Sequence, residues 1–314
     1  MPVNPSVTVL MAVHNGERFL PTAMKSILEQ TYPHFRFLIV DDASTDGTRA
    51  IIRSYSHPSV ELLALERNVG QTAALNIGLR RAGTPWIARM DADDFSAPTR
   101  LAEQMETLER DPSLRCVGTG IWEFSRDPME RIAVVFRPED YEQIRRAALL
   151  GSGMIHGSIL VSRQALLDIG GYDERYRYAS DRDLFVRLFA RYKARNIPKL
   201  LLGVRRHESQ DSFSLAAATE YVDLFSRLLA REGFEPSERA VLQQSLTYSH
   251  LFRSDCYRKK GNPWEGWKDT GRAFRVSPAF FLRTGAGSLV KRFAPVSLRE
   301  RWMDKQLGIR RDER

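Results

Sequence analysis

The chain has 314 residues, 43% hydrophobic and 27% charged, an ordinary globular composition with length for one large domain or two modest ones. Its two cysteines, Cys116 and Cys256, exclude a disulfide framework or a zinc site and fit a reducing cytoplasm. No stretch reaches the ~18 apolar residues of a membrane span, and the N-terminus lacks the basic start and long apolar core of a secretory signal.

In chain order, Val7–Val13 reads as a buried strand. Phe19, Leu20, Ala23, Met24, Ile27 and Leu28 then recur at helical spacing over residues 17–30. Strands follow at 36–40 and 60–65, with a helix at 45–55 between them. A helix at 72–82 stops at Gly83. A fourth strand covers 86–90, and Pro98 opens a helix carrying Leu101, Met105 and Leu108. This βαβαβαβα order predicts an α/β fold, a mostly parallel sheet with helices on both faces, whose ligands bind beyond the carboxyl ends of the strands. Residues 126–212 alternate less regularly, with a helix at 181–192. Residues 213–314 read as helical, broken at Gly261-Asn262-Pro263 and Ser277-Pro278.

Asp91-Ala92-Asp93-Asp94 closes the fourth strand. Three carboxylates within four residues repel one another, and desolvation at the mouth of a core adds to the cost. A divalent cation, Mn²⁺ or Mg²⁺, relieves that repulsion and shares its carboxylates with substrate phosphates. The cluster points to a metal–diphosphate site, with a solvated acidic loop as the plainer alternative.

Val7 to Asn15, then Ser26-Ile27-Leu28-Glu29-Gln30-Thr31-Tyr32, then Val40-Asp41-Asp42-Ala43-Ser44-Thr45-Asp46-Gly47-Thr48 resembles the start of family 2 glycosyltransferases. Asn68-Val69-Gly70, Leu75-Asn76-Ile77-Gly78-Leu79, the acid cluster, His156, Gly170-Gly171-Tyr172 and Ser180-Asp181-Arg182-Asp183-Leu184 continue the resemblance in order, over residues 5 to about 212. It implies a GT-A fold (Rossmann-like), a nucleotide-sugar donor, a UDP-sugar in the first instance, a divalent metal, and inversion at the anomeric carbon. The division it implies is a catalytic domain at 1–212 and a smaller basic helical region at 213–314. The usual setting is bacterial cell-surface polysaccharide or glycolipid assembly.

The resemblance places Ala12, His14, Asn15, Asp42, Asn68, Asp91 and Asp93 on the donor nucleotide, and Asp93, Asp94 and His207 on the metal. Asp181 becomes the base, while His156, Arg205 and Arg206 fall on the acceptor or phosphate side. Two positions depart from the family's pattern: His14 stands where Tyr is usual, and Ser180-Asp181 where Glu-Asp is usual. Each residue also has a plainer use. Asp42 caps a helix, His14 and His207 are loop histidines, and His156 is a satisfied, partly buried one. Ser180 reads as an N-cap ahead of Asp181, whose carboxylate the helix dipole keeps ionised.

A dinucleotide-binding oxidoreductase would carry Gly-x-Gly-x-x-Gly after the first strand, where this chain has His14-Asn15-Gly16-Glu17-Arg18. A non-catalytic nucleotide-sugar-binding or scaffold protein of the same fold would have lost the base or the acids, which are all present. Nucleic-acid binding lacks any accompanying module. The net charge of +8 is uneven: residues 251–314 hold 16 Lys and Arg against 7 Asp and Glu, leaving the first 250 residues at −1. Trp264, Trp267, Phe274, Phe280, Phe281, Leu282, Phe293 and Trp302 are interleaved with those cations. Two uses fit. One is an interfacial surface for anionic lipid, placing a cytoplasmic protein at the inner face of the plasma membrane. The other is a helical cap on the catalytic domain.

Overall fold

The computed structural model describes residues 6–207 and 214–282 and the backbone of 310–313. The first half is β1 (Val7–Val13), α1 (Leu20–Leu28), β2 (Phe35–Asp41), α2 (Thr48–Ser54), β3 (Val60–Ala64), α3 (Gln71–Arg81) and β4 (Trp86–Arg89). Its strands lie in the order β3-β2-β1-β4, all parallel. β1 is buried on both faces. Val7, Val9, Met11 and Val13 pack with Leu20, Ala23, Met24 and Ile27 of α1. Leu10 and Ala12 pack with Ala74, Leu75 and Leu79 of α3. Two-sided burial is why β1 reads as an unbroken apolar run. At Gly78, a Cβ would come within 2.3 Å of Leu10 Cδ1, so glycine lets α3 lie close on the sheet.

The second half adds β5 (Phe95–Ser96), α4 (Arg100–Arg110), β6 (Leu114–Phe124), β7 (Ala133–Phe136), α5 (Tyr141–Leu149), a 3₁₀ turn (His156–Ser158), β8 (Leu160–Ser162), α6 (Arg163–Asp168), α7 (Ser180–Phe189) and β9 (Lys193–Arg205). Here the sheet turns mixed. β8 runs antiparallel between β4 and β6, β7 is antiparallel to β6, and β9 is parallel to β6. The parallel sheet expected from the sequence is thus its N-terminal part. Helices cover both faces as expected.

Beyond it lie α8 (Leu215–Ala230), α9 (Pro236–Lys259) and α10 (Pro263–Val276). Tyr221, Phe225 and Leu228 of α8 and Leu242 and Leu246 of α9 close a third apolar cluster over Leu149 of α5 and Val186 of α7. α10 is pinned to α9 by buried Asp269, which accepts from Arg253 at 2.6 and 2.8 Å and from Arg272 at 2.8 Å. The C-terminal region is not helical throughout. β10 (Arg310–Glu313) pairs antiparallel with β7 at the sheet edge. The expected boundary at 212/213, Phe293 and Trp302 lie outside the described residues. Among the described residues, no helix is long and apolar enough to cross a membrane.

Candidate active site

Strand order reverses at β1, which has β2 on one side and β4 on the other, so a crevice opens beyond their carboxyl ends. His14 and Asn15 follow β1, Asp42 follows β2, Asn68 lies past β3 and the four-residue acid cluster follows β4. The turns after β1 and β2 put Asn15 at φ 53° and Ala43 at φ 55°. Left-handed non-glycine residues of this kind cost free energy and gather at functional sites.

In the acid cluster the carboxylates have different surroundings. Asp91 is 31% exposed at its side chain and ion-pairs with buried Arg89. Gln71 Nε2 donates to its other oxygen at 3.3 Å. Asp93 is 30% exposed and meets His207 Nε2 at 2.9 Å. Asp94 is buried and accepts from the Arg205 backbone N–H at 3.1 Å. Burial, and then Asp91, push the Asp93 carboxyl above its ordinary range, against the bond from His207. Burial, Asp91 and Asp93 push Asp94 up further, opposed by the Arg205 N–H and by Arg89. Beneath lies Arg100, fully buried, whose Nη1 donates to Gly157 O at 3.0 Å. Burial lowers its pKa to about 10 while Asp94 resists. Gly157 packs directly on the cluster, since a Cβ there would stand 3.2 Å from Asp94 Oδ2 and 3.4 Å from Asp91 Oδ2.

This donor set fits a divalent cation. Two ligand atoms at right angles, each about 2.1 Å from a cation, lie about 3.0 Å apart. Asp93 Oδ2 and His207 Nε2 are 2.9 Å apart. Among the described residues no three His, Cys, Asp or Glu side chains form a cage by themselves, so substrate oxygens would have to complete the shell. Asp94, placed on the metal by the resemblance, lies under the cluster rather than at its face.

The donor side is built from loop ties. Asp42 accepts from Val69 N at 2.7 Å and Gly70 N at 2.9 Å. It caps α3, whose N-cap is Gly70 at φ 86°, rather than the helix that follows it in sequence. Asp46 serves α2 instead, through Thr48 N at 3.0 Å. Asn15 accepts from Thr45 N at 2.8 Å, tying the loop after β1 to the loop after β2. His14 is exposed, with Nδ1 2.8 Å from Asp42 O, and presents its ring at the crevice. Ala12 is buried in β1. Asn68 is exposed and lines an open cavity of about 490 Å³ along α3, with Arg67, Ala73, Arg80 and Glu174, which none of the cluster acids reach.

Across the crevice, Asp181 sits in the first turn of α7, half-buried, and accepts from Arg182 N at 2.8 Å. Burial raises its carboxyl above the ordinary value, against Arg182 and Arg89. Burial therefore outweighs the neighbouring cations and the backbone N–H bonds here. Ser180 is not the N-cap: Ala179 holds that place and makes no side-chain bond. His156 Nε2 meets Tyr172 OH at 2.8 Å, and its ring packs edge-on to Phe185. Burial, then Arg89, keep that imidazole well below its usual range, hence neutral. His156 is a satisfied histidine behind Asp181.

β5 pairs with β9, so the chain leaving Asp94 runs beside the chain reaching Arg205 and His207. The expected phosphate role of Arg205 meets a different geometry. It is buried, donates to Asp93 O, Ser125 O and Arg126 O, and stacks on Phe19 and Phe124. Arg206 ion-pairs with Glu123. His207 rests on Phe19, with ring centroids 5.0 Å apart.

The model for "Glycosyl transferase family 2" matches residues 8–170, from β1 to the end of α6. The chain belongs to glycosyl transferase family 2. EpsE of Bacillus subtilis (strain 168), named as a glycosyltransferase, is 32% identical over 227 residues, covering 70% of this chain and 79% of EpsE. The mannosyltransferase PcManGT from Pyrobaculum calidifontis, solved with GDP-Man and Mn²⁺, superposes at a TM-score of 0.61 and 21% identity over 94% of this chain and 82% of its own. S. aureus TarS 1-349 with UDP-GlcNAc gives 0.63 at 16% identity over 88% and 81%. The protein is a glycosyltransferase with a GT-A-like fold and a helical C-terminal region. Sequence reasoning missed Arg89, Arg100 and Glu220 of α8, whose carboxylate bonds the backbone just ahead of α7. Two of these carried a signal: Arg89 is a cation inside an apolar strand, and Arg100 lies on the apolar stripe of α4 with Leu101, Gln104 and Leu108.

Proposed function

We propose that this glycosyltransferase transfers a sugar with inversion from a nucleoside-diphosphate sugar to a hydroxyl of a saccharide or lipid-linked acceptor, in cell-surface polysaccharide assembly. Asp93 and His207 would hold Mn²⁺ or Mg²⁺, with Asp91 toward the donor, Asp94 and Arg100 supporting from below, and His14 and Asp42 beside the base. A cation bound there neutralises charge on the diphosphate. The observation that carries this proposal is Arg89. It pairs with Asp91 on the donor side, and its charge is felt by Asp181 on the acceptor side, so the two sets of carboxylates flank one crevice.

Asp181 removes the proton of the acceptor hydroxyl as that oxygen attacks the anomeric carbon. The bond from this carbon to the diphosphate oxygen breaks on the opposite face, and its electron pair leaves with the nucleoside diphosphate. One displacement needs one base and no enzyme nucleophile. Burial suits Asp181 to the task, because a base works best with a pKa nearer the working pH. We place residues 1–212 as the catalytic domain. The basic region after it contacts anionic lipid at the inner face of the plasma membrane.

The test is a panel of UDP-, GDP- and dTDP-sugars with simple acceptors, with and without Mn²⁺, followed by NMR of the new linkage. Inversion and loss of turnover in EDTA are expected. Retention, or a rate indifferent to chelation, overturns the mechanism. Donor binding without turnover on any acceptor would favour the non-catalytic alternative.

A further inference from the structure

The helix that carries Asp181 has no cap of its own. Its N-cap is Ala179, and no side chain of the loop before it bonds the first turn. The backbone leading into it, up to the N-cap, is bonded instead from α8. Glu220 Oε2 accepts from Tyr178 N at 2.6 Å and Ala179 N at 3.0 Å, and Oε1 accepts from Arg177 N at 3.1 Å. Three backbone donors converging on one carboxylate are charge-assisted bonds, and an anion at a helix N-terminus also suits the dipole.

Neighbours on α8 extend the grip. The Tyr221 ring lies 3.8 Å under the Arg182 guanidinium, and Asp223 accepts from Tyr176 OH at 3.0 Å. From the other side, α3 holds the same segment. Thr72 Oγ1 donates to Tyr176 O at 2.8 Å, and Asn76 bonds both Tyr172 N and Tyr172 O at 2.9 Å. The loop entering α7 is therefore clamped between a helix of the sheet domain and a helix of the C-terminal region. The Asp181 carboxylate takes a bond from Arg182 N, within its own first turn, so its place follows the backbone that Glu220 holds.

We propose that Glu220 is a positioning residue for sugar transfer, fixing the first turn of α7 and thereby the Asp181 carboxylate against the acceptor hydroxyl. This rests on Asp181 being the base.

The experiment measures kcat per donor-binding site, donor Kd by calorimetry, and melting temperature for the full chain carrying E220A, E220Q or E220D, and for E220A combined with D181N. Displacing a reacting group by an ångström can cost about a hundredfold. E220A is expected to lower kcat by about ten- to a hundredfold, with donor Kd within about twofold of wild type, on the same grounds. E220Q keeps an oxygen for Tyr178 and Ala179 and should recover most of the rate. In the D181N background E220A should cost nothing more, because it acts through that carboxylate.

A wild-type kcat per donor-binding site in E220A overturns the proposal, and so does an equal loss in the D181N background. If E220A does not fold, E220D decides. It retains the charge with a shorter reach, so a lowered kcat at unchanged donor Kd supports the role and an unchanged kcat removes it. A D181N enzyme with full turnover would instead defeat the base assignment, whatever Glu220 does.

Discussion

Asp93 lies just past β4 and Asp181 in the first turn of α7, and their substitutions should separate. Asp93→Ala removes the half-buried carboxylate paired with His207. It should weaken donor binding at least tenfold in Mn²⁺, and EDTA should no longer change donor affinity, because both would remove the cation that Asp93 and His207 would hold against the diphosphate. Calorimetry with and without chelator reads this directly. Asp181→Asn should lower kcat by about 10²–10⁴-fold while donor Kd holds. The sign of the pH dependence follows from burial. Asp181 takes its proton at higher pH than an exposed aspartate, so the acid limb of kcat should lie above the ordinary carboxylate range and vanish in D181N. A pH–rate profile with its acid limb in the ordinary range, or unchanged in the variant, would count against Asp181. The positions of these acids were legible because one follows its own strand and the other opens its own helix. Glu220 was not, since its partners are some forty residues away and its spacing on α8 looks like any solvated glutamate. Arg205 misled for the related reason that sequence shows a cation but not which carbonyls surround it.

At the scale of elements, α10 shows two faces. Gly266, Asp269 and Ala273 are buried on one side, whereas Trp264 is 67% exposed, Trp267 52% and Phe274 44%. At 100° per residue these aromatics share a stripe, with Lys268 and Arg275 along its border. One helix therefore carries both a buried face that caps the fold and an exposed aromatic face of the kind the proposed interfacial use needs. At about 1 kcal/mol per basic residue near an anionic surface, a few engaged charges suffice for salt-sensitive binding. Co-sedimentation with anionic but not neutral vesicles is expected at low salt, and W264A/W267A should weaken it while leaving sugar transfer to a soluble acceptor intact. Equal pelleting with neutral vesicles would leave α10 as a cap alone. Elements were legible where two-faced burial or helical period ran long, as in β1 through β4 and in α4. β5 and β8 span two and three residues and give no period to find, so the mixed part of the sheet stayed hidden.

At the scale of the molecule, residues 310–313 return to the sheet that holds β1. Arg310–Glu313 lies against Ala133–Phe136 and is the outermost strand on that side. An open strand is a template for any other extended chain, and proteins commonly guard such borders to stay monodisperse. Here β10 covers the outer border of β7. Deleting residues 310–314 should leave the fold and the crevice intact but bare the outer border of β7, with Val134 and Val135 among its residues. Light scattering of the truncated protein should then show concentration-dependent association that the full chain resists. A purification tag fused after Arg314 would load the same guard strand, so colloidal behaviour should differ between N-terminally and C-terminally tagged preparations of one and the same enzyme.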